Sequence, residues 1–214
     1  METHTMTRTD VEARLAELAR AVEACRACPL GGQRTRAVFG VGNPQADLMF
    51  VGEAPGFHED KQGEPFVGAA GQLLTKLLRE RVGLDRSDVY IANTLKCRPP
   101  GNRDPLPDEI EACRPHLRQQ LKLIRPRVVV TLGNFASKLL LNTQTGITRL
   151  RGQRYPFGWA VLIPTFHPAA ALRGGAAMRG LETDLYEVRR VLDELPAPTP
   201  PDPQQLGLFE TTAL

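Results

Sequence analysis

Apolar residues recur along this chain with two different periods. Val11, Leu15, Leu18 and Val22 are spaced by four, three and four positions, the repeat of an amphipathic helix, and Thr9 or Asp10 is placed to cap it. Residues 47–52, 88–93, 127–133 and 160–167 are instead short, nearly continuous apolar runs that predict buried strands. Between them, residues 72–82 predict a helix with Leu73, Leu74, Leu77 and Leu78 inward and Gly83 as its stop. Residues 108–124 predict a helix that Pro115 kinks or restarts, and the run NFASKLLL predicts another after the third strand.

Helices alternating with strands that are apolar on both faces predict an α/β fold built on a central, mainly parallel four-stranded sheet, covered on both sides. Ligands of such sheets lie off the carboxyl ends of the strands. Glu53 after the first strand, Asn93 at the end of the second and His167 at the end of the fourth fall there. The segment FGVGNP precedes a strand instead of opening a helix, which argues against a dinucleotide fingerprint.

The chain has 214 residues, a length that one core can serve, so residues 1–195 are expected to form one domain. Pro196, Pro198, Pro200, Pro201 and Pro203 make residues 196–214 a flexible tail by composition. Lys and Arg exceed Asp and Glu only by 27 to 24, so net charge does not identify a polyanion partner and local clustering must decide. No run approaches a membrane span or a signal peptide. A cytoplasmic monomer with reduced cysteines is therefore expected.

Those cysteines are Cys25 and Cys28, then Cys97 after 68 intervening residues and Cys113 after 15 more. One site could use all four, and on spacing alone both zinc and an iron–sulfur cluster stay open. Between the last two, Arg98 and Arg103 sit in a proline-stiffened basic loop suited to phosphates. By contrast, the segment after the first strand carries Glu53, Glu59, Asp60 and Glu64 against one Lys61.

GEAPGFHED, GEPFVGAAGQLL, IANTLKCRPPGNRDP, VVVTLGNFA and TFHPAA occur in this order, and with the cysteine spacing they resemble the family 4 uracil-DNA glycosylases. The resemblance implies a three-layer α/β/α sandwich, one structural [4Fe-4S] cluster on Cys25, Cys28, Cys97 and Cys113, and hydrolysis of the bond joining uracil to deoxyribose in DNA. Such chemistry requires the nucleotide to swing out of the stack. Bond breaking then leaves a cationic sugar and an anionic base, each needing its own complement.

By the same resemblance, His167 in the HPA motif donates to the uracil oxygen, with backbone N–H groups free at the helix that Pro168 starts. Asn93 offers an acceptor and a donor for the edge of uracil, Phe66 stacks on the base, and Glu53 supports the sugar cation or orients water. Ala54 stands in the uracil pocket where related enzymes carry an aspartate, which favours dissociative departure of the base. Glu59 would exclude the thymine methyl. Leu172 and Arg173 are placed to wedge or hold DNA. In the tail, Gln205, Leu206, Leu208 and Phe209 resemble a bacterial sliding-clamp docking motif. The rivals are a non-catalytic iron–sulfur DNA-binding, clamp-recruiting module and a zinc-stabilised nucleotide hydrolase.

Overall fold

The protein, seen in a computed structural model, is described for residues 6–196. The tail with Gln205, Leu206, Leu208 and Phe209 lies outside the described residues. Among these residues no helix is long and apolar enough to cross a membrane.

In chain order the elements are α1 (Arg8–Ala24), α2 (Leu30–Gln33), β1 (Val41–Gly42), β2 (Leu48–Gly52), α3 (Phe57–Gln62) and α4 (Ala69–Leu77). After a π turn over Leu78–Val82 come β3 (Tyr90–Asn93), α5 (Pro107–Ile124), β4 (Val128–Leu132), α6 (Asn134–Leu141) and α7 (Ile147–Leu150). The chain then forms β5 (Tyr155–Phe157), β6 (Ala160–Thr165), α8 (Pro168–Ala171) and α9 (Ala176–Glu194). The strands lie in the order β1-β3-β2-β4-β6-β5. The four anticipated strands pair in parallel at its centre.

The four-stranded expectation is therefore corrected to a six-stranded, mixed sheet, because β1 and β5 add antiparallel edges. Two and three residues long, those edges are too short to show a period in sequence. The α1 cap is also corrected. Thr7, not Thr9 or Asp10, is the N-cap: its Oγ1 accepts from Asp10 N at 3.2 Å while Asp10 Oδ2 accepts from Thr7 N at 2.9 Å, a reciprocal capping box. Pro115 neither breaks nor restarts α5. It cannot donate to the Glu111 carbonyl four residues back, but Glu111 is exposed, so water can serve that acceptor.

Side-chain alternation on the central strands divides the core. Leu48 and Phe50 of β2, with Val128 and Val130 of β4, pack on one face against Leu74 and Leu77 of α4 and Leu181, Leu185 and Val188 of α9. Met49, Val51 and Val129 point the other way, onto Val11 and Leu15 of α1 and Leu117 and Leu121 of α5. This is the α/β/α arrangement, and its physical cause is the period of two along each strand. Helix α9 is unanticipated by the sequence reading, although Leu181, Leu185, Val188 and Leu192 recur at helical spacing.

Candidate active site

Strands β2, β3 and β6 all end at one edge, and the backbone ladder continues past them. Thr94 N donates to Gly52 O at 2.9 Å and Leu95 N to Glu53 O at 3.0 Å, while Thr94 Oγ1 also donates to Glu53 O. The segments that follow the two strands are thereby locked side by side. Gly52 is paired with Asn93 across the sheet, and it must be small. A Cβ there would lie 2.4 Å from Asn93 Oδ1 and 2.8 Å from the Phe66 ring. Asn93 is 2% exposed, and its Oδ1 is buried with no hydrogen-bond partner among the described residues. An amide oxygen left unpaired in the interior is costly, and it marks where a donor from a ligand would be received.

Phe66 is held in an unusual conformation beside that oxygen. Its φ is 54°, in the left-handed region that side chains with a Cβ seldom adopt. Arg86 donates to the carbonyl of the preceding Pro65. Gly71 of α4 passes so close that a Cβ on it would fall 1.7 Å from Phe66 O. The Phe66 ring stacks on that of His167, with centroids 5.5 Å apart and planes 30° apart. Glycine is required at residue 133 as well, since its φ is 93° and a Cβ would approach His167 Cβ to 3.0 Å.

His167 caps α8, its Nδ1 accepting from Ala169 N at 3.1 Å. An accepting Nδ1 assigns the proton of the neutral ring to Nε2, which becomes a donor. Burial first, and the Arg173 charge second, pull this imidazole down to about 4 against the opposing pull of Glu59. The ring is therefore neutral at physiological pH. Two residues earlier on the chain, Thr165 Oγ1 donates to Asp184 Oδ2 at 2.6 Å, and Arg151 grips the same carboxylate at 2.7 and 3.1 Å. That buried network fixes the end of β6 on α9.

The acidic side chains divide by partner. Glu59 Oε1 accepts from Val67 N and Gly68 N at 3.0 and 3.1 Å, at the start of α4. Asp60, 6% exposed, accepts from Thr35 N at 3.0 Å. Glu53 makes no side-chain hydrogen bond among the described residues. Its carboxyl is held above the usual range, first by burial and then by the Asp104 charge. Ala54 packs against the cluster of Leu30, Leu95, Cys97 and Cys113.

The basic loop is arranged differently from a row of free cations. Both terminal nitrogens of Arg103 bond to Glu109, at 2.6 and 2.9 Å. Glu109 is 1% exposed and also accepts from Leu106 N. Arg98 donates to Asn102 Oδ1 at 2.7 Å and lies 5.2 Å from the exposed Phe57 ring, which Lys61 Nζ approaches to 4.3 Å. Leu172 and Arg173 are exposed just beyond α8.

Behind the strand ends, Cys25, Cys28, Cys97 and Cys113 line a single small cavity with Arg34, Lys96 and His116. Gly31 is needed there because a Cβ would meet Cys25 O at 2.6 Å. Arg34 donates to Cys97 Sγ at 2.9 Å and Lys96 N to Cys113 Sγ at 3.2 Å. Burial pushes the Cys113 thiol up to about 11. Among the described residues no three His, Cys, Asp or Glu side chains are grouped as for a metal ion.

The structure thus gathers Glu53, Glu59, Phe66, Asn93 and His167 at one edge. Sequence reasoning missed Gly52, Lys96, Asp104 and Asp184. Only Gly52 carried a signal, as a glycine closing a buried strand. The model of the uracil DNA glycosylase superfamily matches residues 39–187. Among curated proteins, the type-4 uracil-DNA glycosylase of Sulfurisphaera tokodaii is 45% identical over 185 residues, 83% of this chain and 84% of that protein. That of Archaeoglobus fulgidus is 47% identical over 81% of this chain and 91% of its own. That of Thermotoga maritima is 49% identical over 71% and 80%. With motifs in order across the strand ends and relatives matched along most of their length, this chain belongs to the uracil-DNA glycosylase superfamily.

Proposed function

We propose that the protein is a monofunctional uracil-DNA glycosylase that releases free uracil and leaves an abasic site. The observation that carries this reading is the buried, unpaired Asn93 Oδ1 beside the stacked Phe66 and His167 rings. A pyrimidine slid against Phe66 would offer its N3–H to that oxygen. Cytosine has an acceptor at N3 and would leave the oxygen unpaired.

In the reaction the glycosidic bond breaks with its electron pair passing to N1 of uracil, water supplies the oxygen that bonds to the sugar carbon, and the proton that water gives up balances the one taken up by the released uracil anion. His167 Nε2–H donates to the uracil oxygen on which negative charge grows. Glu53 faces the cationic sugar and orients the water. Glu59 is braced by two backbone N–H groups and blocks the thymine methyl. Leu172 and Arg173 contact the opened DNA at the rim, and Arg98 the strand nearby.

The four cysteines fit one [4Fe-4S] cluster of structural role. They line one cavity, and two of the sulfurs already receive N–H donors, the kind of contact that stabilises cluster sulfur. Iron and sulfide content of anaerobically purified protein tests this; stoichiometric zinc would refute it. The motif at Gln205, Leu206, Leu208 and Phe209 is proposed to dock on a sliding clamp, which truncation after Leu195 should abolish in a pull-down.

The decisive experiment is release of uracil from a uracil-containing oligonucleotide, with strand cleavage only after alkali. No release from either single- or double-stranded DNA would refute the assignment.

A further inference from the structure

Lys96 is 1% exposed, yet it carries an ammonium group into the interior. Its Nζ donates to the Asn93 carbonyl at 2.8 Å and to Gln120 Oε1 at 2.6 Å. Gln120 is itself anchored, donating through Nε2 to Phe39 O at 2.9 Å and to Tyr90 Oη at 3.2 Å. Both Nζ contacts are therefore to rigid, neutral oxygens. Among the described residues no carboxylate pairs with this ammonium. A buried charge without a counter-charge is strongly unfavourable.

The groups that can supply the opposite charge are sulfurs. Lys96 lines the cysteine cavity, its backbone N–H donates to Cys113 Sγ, and Cys97 is its chain neighbour. From another side, Arg34 donates to Cys97 Sγ. Four thiolates around a cubane core of two positive charges leave a doubly negative assembly. Arg34 and Lys96 are two cations on the same cavity, so the charges balance.

We propose that Lys96 is a positioning residue that joins the cysteine site to Asn93: its charge is balanced by the ligated thiolates, and its ammonium fixes the carbonyl of the residue that reads the base. This rests on the uracil-reading role of Asn93. Two residues, Thr94 and Leu95, separate Asn93 from Lys96, and both are pinned to the β2 side through Gly52 and Glu53. Without the ammonium, the Asn93 carbonyl loses its only charged donor among the described residues and the amide loses its fixed aim. Without the thiolate charge, the ammonium has no reason to stay.

The test compares wild type with Lys96→Met, which keeps the length and apolar stem but removes charge and donor. The holoproteins are first matched for iron content. Two readouts follow that a merely structural lysine would not move. The midpoint potential of the cluster should fall by about 60 mV, a tenfold change in a one-electron equilibrium, because a cation that favours the reduced form is gone. Inhibition by free uracil should weaken about tenfold, with KM for uracil-DNA rising more than kcat falls. An unchanged potential together with unchanged uracil inhibition overturns the proposal. If Lys96→Met takes up no iron, Lys96→Arg, which retains a cation, decides. Iron uptake with wild-type uracil inhibition supports the proposal, and loss of iron by both variants overturns it. The potential is read without DNA, whereas failure of wild type to release uracil would refute the glycosylase reading alone.

Discussion

His167 offers a prediction in which catalysis and stability come apart. Replacing it with Ala removes three interactions at once. Loss of one preorganised donor to a developing oxyanion lowers turnover by about a hundredfold to a thousandfold, or roughly 3–4 kcal/mol of transition-state stabilisation. Loss of the Nδ1 acceptor at Ala169 N costs about 0.5–2 kcal/mol of folding stability. Loss of the stack on Phe66 costs about 0.5–1.5 kcal/mol. His167→Asn separates these terms, because Asn is a strong N-cap but its short amide cannot reach where Nε2 points. The expectation is that Asn restores about 1 kcal/mol of the stability lost in Ala and none of the turnover. Single-turnover uracil release measures the first quantity and thermal unfolding the second. The pH dependence has a definite sign. Folded His167 titrates at about 4 and an unperturbed histidine at 6.5, so as pH falls between those values the unfolded chain takes up a proton that the folded chain refuses. Stability is lost through that window, by roughly 3 kcal/mol at its lower end, and His167→Asn should not show this loss. Between pH 5 and 8 the neutral donor persists, so no rate loss traceable to His167 is expected there. The reasoning is refuted if His167→Asn releases uracil within about threefold of wild type, or if wild type shows an acid limb near pH 6.5 that this variant lacks.

Asn93→Leu removes the orphaned Oδ1 at nearly constant shape. It should leave stability unchanged or raise it by about 1 kcal/mol while lowering uracil release a hundredfold or more, about the effect of one lost polar recognition group; thermal melts and single-turnover rates on the same samples check both signs. Glu53 has a folded-state pKa raised chiefly by burial. The unfolded chain therefore gives up this proton first, so stability falls as pH rises above the ordinary value of 4.5, and Glu53→Gln should be more stable than wild type at neutral pH, least so in acid, yet slower by about tenfold or more; equal melting temperatures at pH 7.5 would contradict this. Arg98→Ala should weaken binding similarly for every DNA sequence and reduce the salt-dependence slope by about 0.7–0.9, as measured by titrations across a range of salt concentrations.

The centre of this fold was legible because burial on both faces forces unbroken apolar runs, and β2, β3, β4 and β6 each have one. The edges were not, since a strand of two or three residues has no period to detect. The strand-end residues Glu53, Asn93 and His167 followed from topology alone, because parallel strands deliver their carboxyl ends to one side. Their companions did not. Asp184 is a lone carboxylate on a helix, and only the fold brings it to Arg151 and Thr165. Lys96 reads in sequence as one more surface cation beside Arg98. Its burial is dictated by Gln120 and the Asn93 carbonyl, contacts that no local pattern announces. Arg103, in a loop whose composition suits phosphate, also forms a bidentate pair with Glu109, which the loop's composition does not reveal.

An acidic segment lying beside a polyanion is the apparent contradiction in this sequence, and the partners of each carboxylate resolve it. Glu59 and Asp60 face backbone N–H groups, so their charge is met within the protein and is largely removed from the field that DNA would feel. Lys61 and Arg98 both lie against the exposed Phe57 ring, adding positive charge to the same segment. Glu64 is exposed, where salt screens it within about 8–10 Å. Of the segment's four carboxylates, Glu53 is the one that is half-buried without a hydrogen bond among the described residues, and Asp104 raises its energy further. A destabilised anion of this kind gains most when a cation forms next to it, in a site where low dielectric strengthens the attraction. On the proposed reading, the segment would repel phosphate little while holding one carboxylate whose unfavourable ground state would favour the moment at which the sugar becomes positive.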